Sequence, residues 1–279
     1  MRVTVLYPDR LNLYADRGNL LVLEQRCRRR GLGFALHAVG FDGELDPAAT
    51  DLVYLGGGQD RDQRACAVDL PRHREALARA VAAGATVLGI CGGYQLLGHE
   101  VATPEGTLPG LGLLDVVTTR PSGPRLVGHA VALVDPALGR TTTEEPAAPA
   151  GREPSGRGVV GGPDRRVVVA PPVAGPPVAG PWRALVGFEN HQGRTELGPG
   201  CRPLGRVLVG AGNNGDDGTE GAIAGPVIGT YLHGPLLAKN PWFADLLLEG
   251  VVGGPLAPVE DRFAALVHRR ALAAALGTR

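Results

Sequence analysis

The stretch Thr86-Val87-Leu88-Gly89-Ile90-Cys91-Gly92-Gly93-Tyr94-Gln95-Leu96-Leu97-Gly98 constrains the fold most, because a short apolar run stops at a cysteine and glycine-flanked helix formers follow. A buried strand here delivers Cys91 to a sharp turn. Small residues at minus two, plus one and plus two (Gly89, Gly92 and Gly93) let such a turn close without Cβ clashes. The N–H groups and positive end of the helix that follows face the sulfur and favour its thiolate, the nucleophilic form. A structural cysteine at a strand end is the plain alternative, since free cysteine packs as a small hydrophobe. Glycine on both sides favours the nucleophile.

The 28 basic and 28 acidic residues cancel, so no net field draws the chain to nucleic acid or an anionic membrane. Every basic residue except Lys239 is arginine, and Arg-rich stretches such as Arg26 to Arg30 are expected to be solvated helix faces. Cys27, Cys66, Cys91 and Cys201 are scattered, with no C-x-x-C pair and no histidine at zinc spacing. That pattern predicts a reducing compartment and no metal site. The N-terminus has no apolar stretch longer than Val3 to Tyr7, and no run of roughly eighteen apolar residues occurs. A cytoplasmic protein is expected.

In chain order, Arg2 to Tyr7 reads as a buried strand, followed by the polar loop Leu11 to Asn19. A helix from about Asn19 to Arg30 puts Leu20, Leu23 and Cys27 on one face and stops at Gly31. Strands are predicted at Phe34 to Val39 and Asp51 to Leu55, the second running into Gly56-Gly57-Gly58-Gln59-Asp60. Arg61 to Ala83 reads as helix in two pieces broken at Pro71, with Gly84 ending it. The strand carrying Cys91 comes next. Strands alternating with helices at this spacing predict a parallel sheet covered on both faces. Ligands bind outside the carboxyl ends of such strands, where Asp16, the Gly56 to Asp60 loop and Cys91 all fall. The glycine loop lacks both nucleotide-binding signatures; beside a cysteine, the Gly57 and Gly92 N–H groups suit an oxyanion hole.

After Gly98 shorter strands are expected, including Gly112 to Thr119 and Arg125 to Val134. From about 139 to 181 the chain is rich in Pro, Gly, Ala and Arg and reads as a flexible insertion in a single domain spanning residues 1–279. Strands are predicted again at Trp182 to Phe188 and Gly205 to Val209, with the polar Glu189-Asn190-His191 after the first. Asn213 to Gly218 has oxygen ligands but no twelfth-position glutamate, so it reads as a turn rather than a calcium loop. His233 follows the apolar strand at Val227, and helices are expected at Pro241 to Glu249 and Val259 to Leu276.

Five segments together carry a family resemblance: Leu13 to Asn19, Gly56 to Asp60, Cys91 to Gly98, Gly187 to Thr195 and Gly229 to Pro241. The chain resembles class I glutamine amidotransferases of the cobyric-acid-synthase type, and more narrowly the glutaminase subunits of lipid II isoglutaminyl synthases. The resemblance implies a three-layer α/β/α fold with a mostly parallel central sheet. It also implies hydrolysis of glutamine to glutamate and ammonia, with Cys91 as nucleophile and His233 as base and then acid. Arg125 occupies the segment that holds the substrate α-carboxylate, a task suited to a guanidinium. No cofactor is implied for this chain. The implied partner is a Mur-ligase-like subunit that uses ATP and receives the ammonia to amidate D-glutamate of the lipid II stem peptide.

One position departs from the broader class, in which a glutamate stands two residues after the histidine; here it is Pro235. Either Cys91 and His233 act as a dyad, or Asp16 or Glu189 orients the imidazole. His191 is the competing histidine and reads as an architectural or rim residue. The alternatives to a cell-wall glutaminase are an amidotransferase subunit for cobalamin-type side chains, a cysteine hydrolase on the same elbow, and a non-catalytic regulatory module.

Overall fold

A computed structural model describes residues 1–135, 138 and 182–278, so the expected insertion at about 139–181 lies outside the described residues. The first half alternates strands and helices as the sequence predicts. Strand β1 (Arg2–Leu6) leads through a 3-10 turn at Leu13–Ala15 to helix α1 (Arg17–Arg29), then β2 (Ala35–Val39) and β3 (Leu52–Leu55). Helix α2 (Asp60–Asp69) passes through a 3-10 turn at Leu70–His73, where Pro71 interrupts it, into α3 (Arg74–Ala82). Strand β4 (Thr86–Ile90) and helix α4 (Gly92–Leu97) then form the elbow around Cys91.

Helix α1 begins two residues before the expected Asn19 because the Asn12 side chain accepts the Arg17 N–H at 2.9 Å. Asn19 is instead buried, accepting the Leu237 N–H at 2.8 Å and donating to the Tyr54 hydroxyl at 2.8 Å. The expectation of a solvated Arg26 to Arg30 face holds for the exposed Arg28 and Arg29 and is corrected at Arg26. Arg26 is buried and bridges Asp245 and Asp261 at 2.5 and 2.6 Å. It thereby ties α1 to the C-terminal helices, and removing either partner would leave a charge poorly compensated.

The second half supplies β5 (Glu100–Thr103), β6 (Gly106–Pro109), β7 (Val116–Thr119), β8 (Leu126–Val134), β9 (Arg183–His191), β10 (Arg194–Leu197) and β11 (Gly205–Val209). Strands β12 (Thr219–Glu220), β13 (Ala222–Ala224) and β14 (Val227–Thr230) follow, then helices α5 (Leu236–Lys239), α6 (Pro241–Val252) and α7 (Arg262–Leu276). The hairpin of β5 and β6 falls in the stretch after Gly98 where shorter strands are expected. No helix among the described residues is long and apolar enough to cross a membrane.

Six strands form the main sheet in the order β13-β14-β4-β3-β1-β2, every pairing parallel except β13 with β14. This is the mostly parallel sheet of an α/β fold, and β3 and β4 are buried along their whole length, as strands covered on both faces must be. Strand order reverses around β1, which pairs with β2 on one side and β3 on the other. A crevice opens at the carboxyl ends beside such a reversal. Two four-stranded sheets complete the fold, β10-β7-β5-β6 and β12-β11-β8-β9. Strand β9 runs three residues past the expected Phe188, pairing antiparallel with β8 from Leu126↔His191 to Val134↔Arg183. Glu189, Asn190 and His191 are therefore part of the strand and held by the sheet.

The elbow depends on close backbone approach. A Cβ on Gly93 would stand 2.4 Å from the Leu55 carbonyl oxygen, and one on Gly89 would stand 2.7 Å from a Leu97 methyl. Gly93→Ala should therefore push α4 off β3. Overpacking of this kind costs roughly 1–3 kcal/mol, so thermal denaturation should show a melting temperature at least about 2 °C below wild type.

Candidate active site

Cys91 occupies the turn between β4 and α4 with φ 49° and ψ −102°. A non-glycine residue held there stores backbone strain. The strain is fixed on both sides: the Cys91 N–H donates to the Thr230 carbonyl at 2.8 Å, and the Gly93 N–H donates to the Gly56 carbonyl at 3.1 Å. Those two bonds lock the elbow to β14 and to the loop after β3. Cys91 remains 7% exposed, enough to open onto a cleft.

His233 arrives from the chain just beyond β14. A two-way backbone bridge holds it, the Phe188 N–H donating to the His233 carbonyl at 3.1 Å and the His233 N–H donating to the Phe188 carbonyl at 2.8 Å. The imidazole is fully buried, and its Nδ1 lies 3.3 Å from Asp16 Oδ1, also fully buried. The second oxygen of Asp16 accepts the Gly57 N–H at 2.7 Å. Burial opposes protonation of His233, but the bond to Asp16 and the pull of the Cys91 sulfur outweigh it and push the imidazole up to about 10. Nε2 makes no hydrogen bond of ordinary geometry within the described residues. With Nδ1 engaged by Asp16, Nε2 is the nitrogen left for Cys91.

This geometry decides which acid orients His233. Asp16, from the loop after β1, faces the imidazole, whereas Glu189 accepts the Ala211 and Gly212 N–H groups at 2.8 and 3.0 Å. Burial raises Glu189 to about 7 against the effect of those two bonds. Pro235 packs against Gly18, where a Cβ would stand 2.5 Å from its ring. Its place two residues after the histidine thus helps seat the Asp16 loop.

The expected oxyanion pair of Gly57 and Gly92 needs correction. The Gly57 N–H is already donated to Asp16, so it serves the histidine's partner and not a developing oxyanion. Its neighbour is the residue that approaches Gly92: a Cβ there would stand 3.1 Å from the Gly58 nitrogen.

A cleft of about 380 Å³ opens over Cys91, lined among others by Tyr14, Gly58, Gly92, Arg125 and His191. That size falls in the range of small-molecule sites, about 300–1,000 Å³. Arg125 is exposed and does reach this cleft, held by Asn190: Nε donates to Asn190 Oδ1 at 2.9 Å and Nη2 to its carbonyl at 3.0 Å. Asn190 also donates to the Tyr14 hydroxyl, and the Tyr14 ring stands edge-on to His233 at 5.0 Å. Sequence reasoning missed Asn190 and Tyr14. Tyr14 adopts φ 53°, a conformation its residue type gives no hint of. His191 is buried, stacked on Tyr231 at 3.6 Å between ring centroids, with Nδ1 2.8 Å from the Gly193 carbonyl. Beneath it runs a buried chain, Gln63 to Gln95 to Tyr231 to Thr195 to Thr118, with links of 2.6–3.0 Å. Among the described residues no group of acidic, histidine or cysteine side chains is arranged to hold a metal ion.

A cysteine on a strained strand-to-helix elbow, with a buried histidine and carboxylate behind it and an arginine in front, is an arrangement on an α/β sheet suited to cysteine-dependent acyl transfer. Residues 2–241 match the CobB/CobQ-like glutamine amidotransferase domain, and the chain belongs to that family. It is a glutamine amidotransferase. It is 34% identical over 242 residues to the lipid II isoglutaminyl synthase (glutamine-hydrolyzing) subunit GatD of Staphylococcus aureus, covering 86% of this chain and 80% of that one. The same subunit of Streptococcus pneumoniae is 30% identical, covering 86% of this chain and 76% of that one. Cobyric acid synthase of Pelotomaculum thermopropionicum is 36% identical, covering 84% of this chain and 37% of that longer protein.

The raised His233 has a definite pH consequence. Because its pKa is lifted from 6.5 to about 10, its contribution to stability is complete below about 6.5 and is lost as pH rises through about 10. Asp16→Asn removes the charge that holds the proton. The alkaline limb of the pH–rate profile should move to lower pH by roughly 1–3 units, the usual effect of a close opposite charge. An unmoved limb would detach Asp16 from the imidazole.

Proposed function

We propose that this chain is the glutaminase subunit of a lipid II isoglutaminyl synthase, with Cys91 as nucleophile and His233 as its proton carrier. The observation that carries this reading is the fully buried Asp16–His233 pair beside the strained Cys91. His233 Nε2, the nitrogen left free by Asp16, takes the thiol proton as the Cys91 sulfur attacks. The Sγ–Cδ bond forms on the glutamine carboxamide, and the Gly58 and Gly92 N–H groups receive the developing oxyanion. His233 then gives its proton to the departing nitrogen and ammonia leaves. Water, deprotonated by the same imidazole, cleaves the thioester to release glutamate. Arg125, steadied by Asn190, pairs with the substrate α-carboxylate. The relatives in Staphylococcus and Streptococcus are named as subunits, which supports a partner here: a Mur-ligase-like protein that activates the D-glutamate α-carboxyl of lipid II with ATP and takes up the ammonia.

Cys91→Ser should abolish glutamine hydrolysis while leaving the fold intact. Combined with the ligase partner, that variant should still amidate lipid II when ammonium is supplied at high concentration. Amidation of a corrin substrate, with lipid II untouched, would move the chain to cobalamin-type chemistry; glutamine hydrolysis by Cys91→Ser would remove the nucleophile.

Arg125→Ala should raise the KM for glutamine by roughly tenfold, the lower end expected for one charge-assisted pair at an exposed position. Arg125→Lys should recover only part, since an ammonium has no fork. An unchanged KM would assign the carboxylate to another group.

A further inference from the structure

Three buried side-chain atoms among the described residues lack a hydrogen-bond partner: Nε2 of His73, His191 and His233. The His233 nitrogen faces the nucleophile. The His191 nitrogen belongs to the same site, because His191 lines the cleft that holds Cys91 and Arg125. Leaving such an atom unpaired costs about 1–3 kcal/mol, so the position calls for a donor that arrives with the substrate.

Which donor follows from the tautomer. His191 Nδ1 lies 2.8 Å from the Gly193 carbonyl oxygen, which only accepts, so Nδ1 carries the hydrogen. Stacking on Tyr231 at 3.6 Å, with 9° between the planes, fixes the ring in that orientation. Nε2 is then a bare lone pair. Burial, with smaller contributions from the charges of Arg194, His233 and Arg125, pushes His191 down to about 3, so the ring stays neutral at any working pH. It can accept a hydrogen bond and cannot donate one at Nε2.

Glutamine carries two nitrogens able to donate, the α-ammonium and the side-chain carboxamide. His191 stacks on Tyr231, two residues before His233, and the Tyr231 hydroxyl accepts from Gln95 Nε2 at 3.0 Å, while the Gln95 backbone N–H donates to the Cys91 carbonyl at 2.9 Å. His191 therefore sits toward the Cys91 end of the cleft. We propose that His191 Nε2 accepts a hydrogen bond from the carboxamide NH2 of glutamine and so selects an amide over the carboxylate product. The bond turns the carboxamide so that its oxygen points toward Gly92 and its nitrogen away from the oxyanion donors. Glutamate places a charged acceptor against the same lone pair and is repelled. This assignment rests on the glutaminase reading above.

The test compares L-glutamine with L-glutamate γ-methyl ester, which has the same acyl group and no amide N–H, using the full chain together with its ligase partner. Two variants separate the nitrogens of His191. His191→Asn keeps a donor near the Nδ1 position for Gly193 and removes the Nε2 acceptor, whereas His191→Gln offers an acceptor near Nε2. In His191→Asn, kcat/KM for glutamine should fall about tenfold or more, the worth of one well-made bond in a closed site. The ester rate should stay within about twofold, and His191→Gln should recover part of the amide rate. Glutaramic acid, which lacks the α-amino group, should suffer the same loss as glutamine. Equal losses on amide and ester would reduce His191 to a structural role, and a loss absent from glutaramic acid would place Nε2 against the α-ammonium; either overturns the proposal. Thermal denaturation verifies the fold of both variants. If His191→Asn is unfolded, the amide-to-ester ratio of His191→Gln decides, an unchanged wild-type ratio with a lowered rate on both substrates counting against the proposal. Wild-type protein that cleaves neither substrate would instead refute the glutaminase reading itself.

Discussion

The hydrogen bond between Asp16 and His233 is the contact on which the site depends, because it places a carboxylate and an imidazole side by side where water does not reach. An isolated charge there would be costly, and each group makes the other tolerable. Two other features exist to keep it. The Gly57 N–H holds the outer oxygen of Asp16, and Tyr14 closes over the imidazole with its ring edge. A pair so enclosed keeps its proton well above the ordinary imidazole range.

The second requirement is backbone strain at Cys91, and it is met by neighbours that leave no alternative. Strands β3 and β14 flank β4 in register, so the chain ends after all three lie side by side. From those ends come the Gly56–Gly58 turn, Cys91 and His233, while Asp16 comes from the loop after β1. Four short loops on one rim supply the chemistry, and the sheet behind them supplies only distance. The cleft in front also draws on the two smaller sheets, through residues 101–103 of β5 on one and β9 with the segment leading into β8 on the other.

The parallel half of the fold was legible because each element carries its own signal. Thr86 to Ile90 is apolar and β-branched, Pro71 breaks its helix, and glycine brackets Cys91. Cys91 and His233 could be placed at the ends of apolar strands by the same means, and Arg125 through resemblance. What was hidden depends on contacts distant in sequence. Glu189-Asn190-His191 is polar and follows the expected strand, yet pairing with Leu126 to Gly128 makes it strand. Arg26 looks solvated, yet Asp245 and Asp261 come to meet it from the far end of the chain. Gly57 and Gly58 are identical letters, and only the direction of successive N–H groups separates the one that holds Asp16 from the one that approaches Gly92. Asp16 and Glu189 are equal candidates in sequence, and only the fold gives Glu189 to two backbone amides and Asp16 to the imidazole.

Strand β9 touches three parts of the site. Phe188 bridges to the backbone of His233, Asn190 holds Arg125 and Tyr14, and His191 lines the cleft. Because side chains alternate along a strand, a slip of one residue against β8 would exchange the faces of all three at once. His233, Arg125 and the cleft wall thus share a single ruler. They cannot be retuned one at a time by sliding the backbone, and variation in this site is confined to changing side chains while the pairing from Leu126↔His191 to Val134↔Arg183 stays fixed.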